Sequence, residues 1–216
     1  MKGSNNPARY RGYQHHLLLL LYWPLYLLLF YFVERVYPVA HYHVMHCALD
    51  DLIPFHEAFL IPYLFWFVFL AGMLVYTILR EPPAFTRMMH FIILTYTAAI
   101  VIYLLFPTCQ ELRPVAFERD NALTRFLFYF YQFDTNTNVC PSVHVIGSLS
   151  VVFAAWDTER FRSTMWKVIF LMIALLICIS TVFLKQHSIL DVLVALPICA
   201  VGYAFVYRKK CLKRGI

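Results

Sequence analysis

The sequence predicts an all-α integral membrane protein, a bundle of six transmembrane helices, on three observations. The chain of 216 residues is 62% hydrophobic and only 14% charged, whereas soluble domains are nearer half apolar and a quarter charged. Six apolar stretches approach the ~20 residues that one membrane span requires. These stretches are too long and too uniformly apolar for the strands of a β-barrel, the other structure that can cross a bilayer.

The six predicted spans follow one another along a single domain, residues 1–216, which has polar, basic tails at 1–16 and 208–216. The spans cover residues 17–33, 59–79, 91–106, 143–156, 168–184 and 189–207. The fourth is the weakest, because it is short and contains two serines. The first apolar run is long enough to span and lacks a small-residue cleavage site, so we expect no cleavable signal peptide.

The distribution of basic residues predicts the orientation, because Lys and Arg collect in cytoplasmic loops. Six spans place both termini on one side, which carries 13 of the 18 basic residues; the other side keeps Arg35, Arg113, Arg119, Arg125 and Lys185. We therefore expect a multi-pass membrane protein with cytoplasmic termini and an extracytoplasmic functional face. We expect no nucleic-acid partner, because the basic residues lie in short tails and loops rather than on one folded face.

Two long loops lie on the predicted outer side. Residues 34–58 are rich in His and acidic side chains, which suits either a metal site or a polar loop at the level of the lipid headgroups. The spacing is not that of helix-borne metal ligands, which favours the polar loop, and we predict neither a metal site nor a cofactor. In the second loop, Ala122–Phe133 is aromatic but too short to span, so we predict an interfacial helix. The outer cysteines, Cys47, Cys109 and Cys140, could form a disulfide there.

The strongest functional pattern is the segment from Lys185 to Asp191, Lys-Gln-His-Ser-Ile-Leu-Asp. His187 and Asp191 are four residues apart and so share one face of a helix. Asp191 falls about one turn inside the sixth predicted span, where an unpaired carboxylate is costly and ionisable groups usually serve function. A hydrogen bond from Nδ1 of His187 to Asp191 would leave Nε2 free to act as a nucleophile. A structural pair that joins two helices is the alternative.

A second pattern is Cys140-Pro141-Ser142-Val143-His144, where the outer loop enters the fourth predicted span. Ser142 suits the N-cap position, and the free N–H groups of the following turn suit an anionic phosphate. His144 lies in that turn and could donate a proton as a general acid. The alternative is an interfacial histidine after an ordinary N-cap. Arg113, in the same loop, offers a planar guanidinium that matches phosphate oxygens.

The order Arg113-Pro114, Pro-Ser-x-His ending at His144, and His187-x-x-x-Asp191 resembles the type 2 phosphatidic acid phosphatase superfamily over residues 106–196. This resemblance implies a six-span helical fold with an active site on the outer face. It also implies that His187 is the nucleophile and forms a phosphohistidine, that Asp191 activates it and that His144 protonates the leaving group. Arg113 and Ser142 would hold the phosphate, and no metal would be required.

The chain departs from the family pattern at three positions. Phe106 stands where the family usually has a lysine, Thr181 where it has a second arginine, and Val143 where it has a glycine. Lys185 is a candidate to supply the missing positive charge. The sphingolipid synthase branch of lipid enzymes is similar in two ways. It also lacks most of the family's phosphate-binding cations, and its second motif resembles His187-Ser-Ile-Leu-Asp-Val followed by the small residue Ala195.

Three functions are therefore open. The first is a membrane phosphoesterase that cleaves a lipid phosphate at the outer leaflet. The second is a phospholipid headgroup transferase that uses the same catalytic residues. The third is a non-enzymatic or degenerate membrane protein, which the residues at 106 and 181 favour. All three place the chain in the bilayer, and the first two imply a lipid phosphate or phospholipid substrate.

Overall fold

A computed structural model of the protein describes residues 14–208. Within that range the chain forms nine α-helices, two short 3₁₀ turns and one pair of two-residue strands. The helices are α1 (Gln14–Leu17), α2 (Tyr22–Arg35), α3 (Ala48–Leu52), α4 (Leu60–Arg80), α5 (Pro82–Leu105), α6 (Ala122–Phe133), α7 (Val143–Asp157), α8 (Thr164–Phe183) and α9 (Ile189–Val206). The predicted all-α class is confirmed. The predicted basic tails lie almost wholly outside the described residues.

Among the described residues, five helices are long and apolar enough to cross a membrane: Leu18–Arg35, which includes α2, and helices α4, α5, α8 and α9. The remaining predicted span, the fourth, corresponds to α7, which has only 15 residues. At 1.5 Å per residue it is about 22 Å long, shorter than the ~30 Å hydrocarbon core. A multi-pass membrane protein is therefore supported, but six spans are not confirmed.

Helix α5 begins at Pro82, nine residues before the third predicted span, so the predicted start of that span at residue 91 is wrong. Proline is well tolerated in the first turn of a helix, because the N–H that it lacks has no partner within the helix there. The connection between α4 and α5 is consequently a single residue, Glu81, whose carboxylate accepts hydrogen bonds from the backbone N–H of Glu159 at 3.0 and 3.1 Å.

The two ends of the bundle differ in the connections that they carry. One end gathers the long loops 36–59 and 106–142 and the short turn between α8 and α9. The opposite end carries the turn at Glu81 and an ion pair between Arg87 and Asp157. Both ends of the described chain lie there too, since the His16 ring contacts Phe85 and the Tyr207 ring packs near Phe153. The candidate catalytic residues lie at the end that carries the long loops.

The two long loops are joined to each other. Strand β1 (His43–Val44) pairs in parallel with β2 (Thr108–Cys109), and Cys109 forms a further bridge to Thr137. The predicted helix at Ala122–Phe133 is confirmed as α6, with its N-terminus capped by Asn121. The outer cysteines, Cys47, Cys109 and Cys140, are free.

Helix α7 occupies the centre of the bundle and packs against α4, α5, α8 and α9. Its approach to α4 and α5 depends on Gly147. A Cβ atom there would lie 2.8 Å from the Trp66 indole and 2.8 Å from the Tyr96 hydroxyl, closer than real Cβ contacts allow. Gly147 therefore lets two large aromatic side chains close over the helix that carries His144.

This close approach predicts that Gly147→Ala destabilises the protein, because forcing extra volume into a packed core costs about 1–3 kcal/mol. Gly72→Ala in α4 is the matched control, since nothing lies within 4 Å of a Cβ built at Gly72. Thermal unfolding in detergent micelles should give a lower midpoint for Gly147→Ala and an equal or higher midpoint for Gly72→Ala. Equal midpoints for both variants would contradict the packing argument.

Candidate active site

The turn between α8 and α9 presents His187 to the bundle interior. Helix α8 ends at Phe183, and Lys185 adopts a left-handed backbone conformation with φ of 55°. The carbonyl oxygen of Thr181 then accepts two hydrogen bonds, from the N–H of Gln186 at 2.9 Å and of His187 at 3.2 Å. Helix α9 begins directly after Ser188. The sharp turn therefore fixes the backbone of His187 between two helix ends.

His187 and Asp191 form the predicted pair. Nδ1 of His187 lies 3.1 Å from Oδ2 of Asp191, and both side chains are buried. The same carboxylate oxygen accepts the backbone N–H of Ser188 at 3.0 Å. A carboxylate beside Nδ1 favours the tautomer with the proton on Nδ1, which leaves a lone pair on Nε2. This arrangement leaves Nε2 of His187 able to act as a nucleophile.

His144 lies against the free nitrogen of His187, although the two are 43 residues apart in sequence. Its Nδ1 is 3.4 Å from Nε2 of His187. On its other faces the His144 ring packs against Tyr63, at 4.5 Å between ring centroids, and Trp66, at 4.6 Å, both from α4. Asp191, His187 and His144 thus contact one another in series, and aromatic packing fixes the orientation of the His144 ring.

Ser142 connects the two motifs. Its backbone N–H donates to the carbonyl oxygen of Asp191 at 3.1 Å, so the start of α7 is tied to the first turn of α9. The Ser142 side chain is completely buried, its Oγ has no hydrogen-bond partner among the described residues, and it does not cap α7. A buried hydroxyl without a partner is unusual in native structures. Together with the uncapped N–H groups of α7, it suits a bound anion.

Arg113 contacts the end of α6 and the loop that follows it. Its guanidinium donates to the carbonyl oxygens of Tyr131 at 3.0 Å, Asp134 at 2.6 Å and Thr135 at 2.9 Å, and to the side-chain oxygen of Gln186. Burial lowers the pKa of Arg113, an effect partly offset by the charge of Asp134. The structure therefore ties Arg113 to the loop beside the histidines. Its predicted contact with phosphate stays a prediction.

The Lys185 side chain points away from the cavity that His144 and His187 line. Its ammonium is buried and donates to the backbone carbonyl oxygen of Asp50 at 2.6 Å. Asp50 belongs to the short helix α3 in the first long loop. The predicted role of Lys185 in phosphate binding also stays a prediction, and its visible contact is with this loop.

A small polar cavity of about 40 Å³ opens beside the histidines. His144, His187, Asn138, Gln186 and Asp134 contribute polar groups to its wall, and no Lys or Arg side chain lines it within the described part of the chain. Its volume exceeds the ~10–15 Å³ that one water requires. The cavity is therefore a place where a small polar group could meet Nε2 of His187.

Asp134 was missed at the sequence level, yet it is central to this cavity. Its Oδ2 accepts the Tyr63 hydroxyl at 2.5 Å and the side-chain N–H of Gln186 at 3.1 Å. Burial raises the pKa of Asp134, while the hydrogen bond from Tyr63 and the charge of Arg113 lower it in part. Asp134 lies in an irregular loop outside both histidine motifs, so no recognisable sequence pattern marks it as a site residue.

A larger, apolar groove of about 620 Å³ reaches the same residues from the side of the bundle. Side chains of α2 and α4 form most of its wall, including Trp23, Tyr26, Leu27, Phe67, Leu70 and Leu74. The groove and the polar cavity share Phe30, Asp134, Val143 and His144. The apolar groove thus borders the polar cavity.

The two positions that lack the expected cations have other partners. The ring of Phe106 stacks on His43 with 4.0 Å between centroids. Thr181 is buried, and its hydroxyl donates to the carbonyl oxygen of Cys178 at 2.8 Å. In the His-rich loop, His46 pairs with Asp51 at 2.9 Å. No group of three or more His, Cys, Asp and Glu side chains within residues 14–208 is arranged to hold a metal ion.

The model of the PAP2 superfamily matches residues 87–211, more than half of the chain. The chain belongs to the PAP2 superfamily. The match includes every predicted site residue, and membership implies a phosphatase-type activity. No curated protein and no solved structure matches the chain.

The contacts of Arg113 lead to a prediction for this PAP2 protein. Its planar guanidinium donates hydrogen bonds to four oxygen atoms in and beside the loop that follows α6, and a lysine ammonium cannot reproduce that planar geometry. Arg113→Lys should therefore lower turnover nearly as much as Arg113→Ala, on the order of 10-fold or more, since losing a buried charged contact costs about 2–5 kcal/mol.

Arg119→Lys is the matched control, because Arg119 lies in the same loop, is largely exposed and contacts Glu57 at 3.5 Å, away from the loop beside the histidines. Steady-state kinetics of the three variants on one phosphate-ester substrate would test the prediction. Wild-type rates for Arg113→Lys would mean that the fork is not needed.

Proposed function

We propose that the protein is an integral membrane phosphoesterase that cleaves lipid phosphates at the outer leaflet through a phosphohistidine on His187. The observation that carries this proposal is the line Asp191–His187–His144, with distances of 3.1 and 3.4 Å between neighbouring polar atoms. His187 and His144 line the polar cavity, and His144 also lines the apolar groove.

In the first proposed step, Nε2 of His187 attacks phosphorus and the bond from phosphorus to the lipid oxygen breaks. His144 donates a proton to that oxygen as it leaves. Asp191 keeps the Nδ1 proton of His187 in place and stabilises the positive charge that develops on the ring. The lipid alcohol is released, and the phosphoryl group stays on His187.

In the second step, His144 accepts a proton from water, whose oxygen attacks phosphorus. The bond from Nε2 to phosphorus breaks, inorganic phosphate leaves and both histidines return to their starting states. Ser142 Oγ and the first turn of α7 are the proposed phosphate ligands, supported by Arg113 from behind the loop. The proposed mechanism needs no metal ion and no cofactor.

The groove between α2 and α4 supports a lipid as the substrate. Its volume lies within the ~300–1,000 Å³ of ordinary ligand sites, and its wall is almost entirely apolar. A hydrocarbon chain in this groove would bring its polar end to His144 and Asp134. The groove lies between helices that are long enough to span the bilayer, so such a chain could enter from the membrane.

We also propose that the chain is one membrane-embedded domain with cytoplasmic termini and its active site on the extracytoplasmic face. With six spans, 13 of the 18 basic residues of the sequence belong to the side of the chain termini, which supports this orientation. The exposed aromatic side chains of α6, among them Phe126, Phe128 and Tyr129, support a position for that helix at the interface.

One observation favours the phospholipid headgroup transferase as a second candidate function. The polar cavity carries the carboxylate of Asp134 and no lining cation among the described residues. A phosphomonoester with two negative charges fits such a site less well than a phosphodiester with one. A transferase of the sphingolipid synthase kind would use the same phosphohistidine and a lipid alcohol in place of water.

Product analysis distinguishes these functions. Purified protein is incubated in lipid vesicles with a panel of lipid phosphates and phospholipids, with and without a lipid alcohol as acceptor. Release of inorganic phosphate supports hydrolysis, and a new phospholipid that forms only with the acceptor supports transfer. Turnover of no lipid in the panel would contradict both and favour a non-enzymatic member.

The nucleophile assignment predicts that His187→Ala lowers turnover by several orders of magnitude, as loss of a covalent nucleophile normally does. His90→Ala is the control, because His90 is an exposed histidine in α5 at the opposite end of the bundle. His90→Ala should keep the wild-type thermal midpoint, whereas His187→Ala should fold with a lower midpoint, because the buried Asp191 carboxylate loses one hydrogen-bond partner. The rates are therefore compared per folded molecule. Retention of more than about a tenth of the wild-type rate by His187→Ala would exclude His187 as the nucleophile.

A further inference from the structure

Asp50 is a completely buried carboxylate that the proposed mechanism does not use. It lies in α3, in the first long loop, outside residues 87–211 that match the family. Its two oxygens accept three hydrogen bonds: from the Ser188 hydroxyl at 2.5 Å, from the Ile189 N–H at 2.9 Å and from the Cys47 N–H at 2.9 Å. Two of these donors belong to the residues that follow His187.

The contacts of Asp50 reach His187 through Ser188. The Ser188 hydroxyl donates to Asp50 and accepts the N–H of Leu190 at 3.1 Å, so Asp50 fixes the rotamer of the residue that caps α9. The backbone N–H of Ser188 donates to the same Asp191 oxygen that contacts His187. A shift of Ser188 would therefore move the carboxylate that orients the imidazole.

Asp50 also holds the residues that precede His187. Its backbone carbonyl oxygen accepts the Lys185 ammonium at 2.6 Å. Lys185 has the left-handed φ of 55°, a conformation that costs a residue with a side chain about 1–2 kcal/mol and so needs support from its surroundings. One residue of the first loop thus contacts the chain on both sides of His187.

The electrostatics of this contact are favourable. An anion at a helix N-terminus is stabilised by the helix dipole, and hydrogen bonds to a carboxylate are stronger than neutral ones. Burial alone would raise the pKa of Asp50, but the hydrogen bonds from Ser188, Ile189 and Cys47 outweigh it and hold that pKa below its usual range. Asp50 is therefore an anion bound to the start of α9.

We propose that Asp50 is a positioning residue for the reaction, which holds His187 and Asp191 in their reactive arrangement by anchoring Lys185, Ser188 and Ile189. It touches no reacting atom. This inference rests on the proposed function, because positioning matters only if His187 reacts. It extends the catalytic machinery to a part of the chain that the family match does not cover.

Asp50→Asn is the main test. The amide keeps the size of the side chain but replaces one acceptor oxygen by an N–H₂ group, so the three donors can no longer all be satisfied. A misplaced catalytic group can reduce the rate by about 100-fold, so we expect kcat to fall by about 10- to 100-fold. KM should change little, since Asp50 does not line the substrate site.

Two matched controls remove a neighbouring carboxylate charge. Asp51→Asn alters the next residue, which is exposed and pairs with His46. Glu57→Gln alters a buried carboxylate of the same loop that accepts from Asn121 at 3.0 Å and not from the start of α9. Both should keep a wild-type kcat. If Asp50→Asn lowers only the thermal midpoint and leaves kcat per folded molecule unchanged, Asp50 is structural and the proposal is overturned.

Ser188→Ala tests the proposal even if Asp50→Asn fails to fold, because it removes only one of the three bonds. It should lower kcat in the same way, and the effects of the two substitutions should not add in the double variant, as for residues that act through one network. A wild-type kcat for Ser188→Ala, or fully additive effects, would contradict the proposed path from Asp50 to His187.

A readout independent of turnover separates this proposal from the proposed function. Side-chain ¹⁵N NMR of the protein in detergent micelles reports the tautomer of His187. We expect a single Nδ1–H tautomer in the wild type and a mixture or exchange-broadened signals in Asp50→Asn. Suppose that the wild type neither hydrolyses nor transfers any lipid, but Asp50→Asn still changes the His187 signal. The proposed function is then wrong, and the role of Asp50 in positioning His187 stands. An unchanged His187 signal would overturn the positioning role.

Discussion

The hydrogen bond between Nδ1 of His187 and Asp191 is the interaction on which the rest of the site depends. Asp191 is completely buried in the first turn of α9, where a carboxylate without partners would be strongly destabilised. Its contacts with His187 and Ser188 offset that cost and at the same time select the imidazole tautomer with a free Nε2. The contacts that Oδ2 of this buried carboxylate accepts therefore also orient the imidazole for nucleophilic attack.

The surrounding bundle can be understood as support for that geometry. Helix α7 is short and central, and Gly147 lets Trp66 and Tyr96 close over it, which packs His144 between aromatic rings and against His187. The start of α7 is tied to α9 by the bond from the Ser142 N–H to the Asp191 carbonyl oxygen. The two histidine motifs, remote in sequence, are thus held together by backbone contacts as well as by side chains.

Periodicity and apolar composition predict the helices well, because membrane-spanning segments must satisfy their backbone internally. The contact between His187 and Asp191 is predicted correctly, but the shared helix face is not, because His187 precedes the N-cap Ser188 and meets Asp191 across the N-terminus of α9. The same reasoning fails for α5, whose start is set by Pro82, and for Asp50 and Asp134, whose positions depend on how irregular loops fold over the site. Such loop contacts have no sequence period, so only the structure reveals that these two carboxylates lie beside the candidate catalytic residues.

The central claim is that His187 carries the phosphoryl group during turnover. Brief exposure of the wild-type protein to a lipid substrate with labelled phosphate, followed by an alkaline quench and peptide mapping, tests it most directly. The account predicts a label on the peptide that contains His187, stable in alkali and labile in acid, and none in His187→Ala. A label that is stable in acid or lies on another residue, or turnover with no labelled protein, would contradict the covalent mechanism.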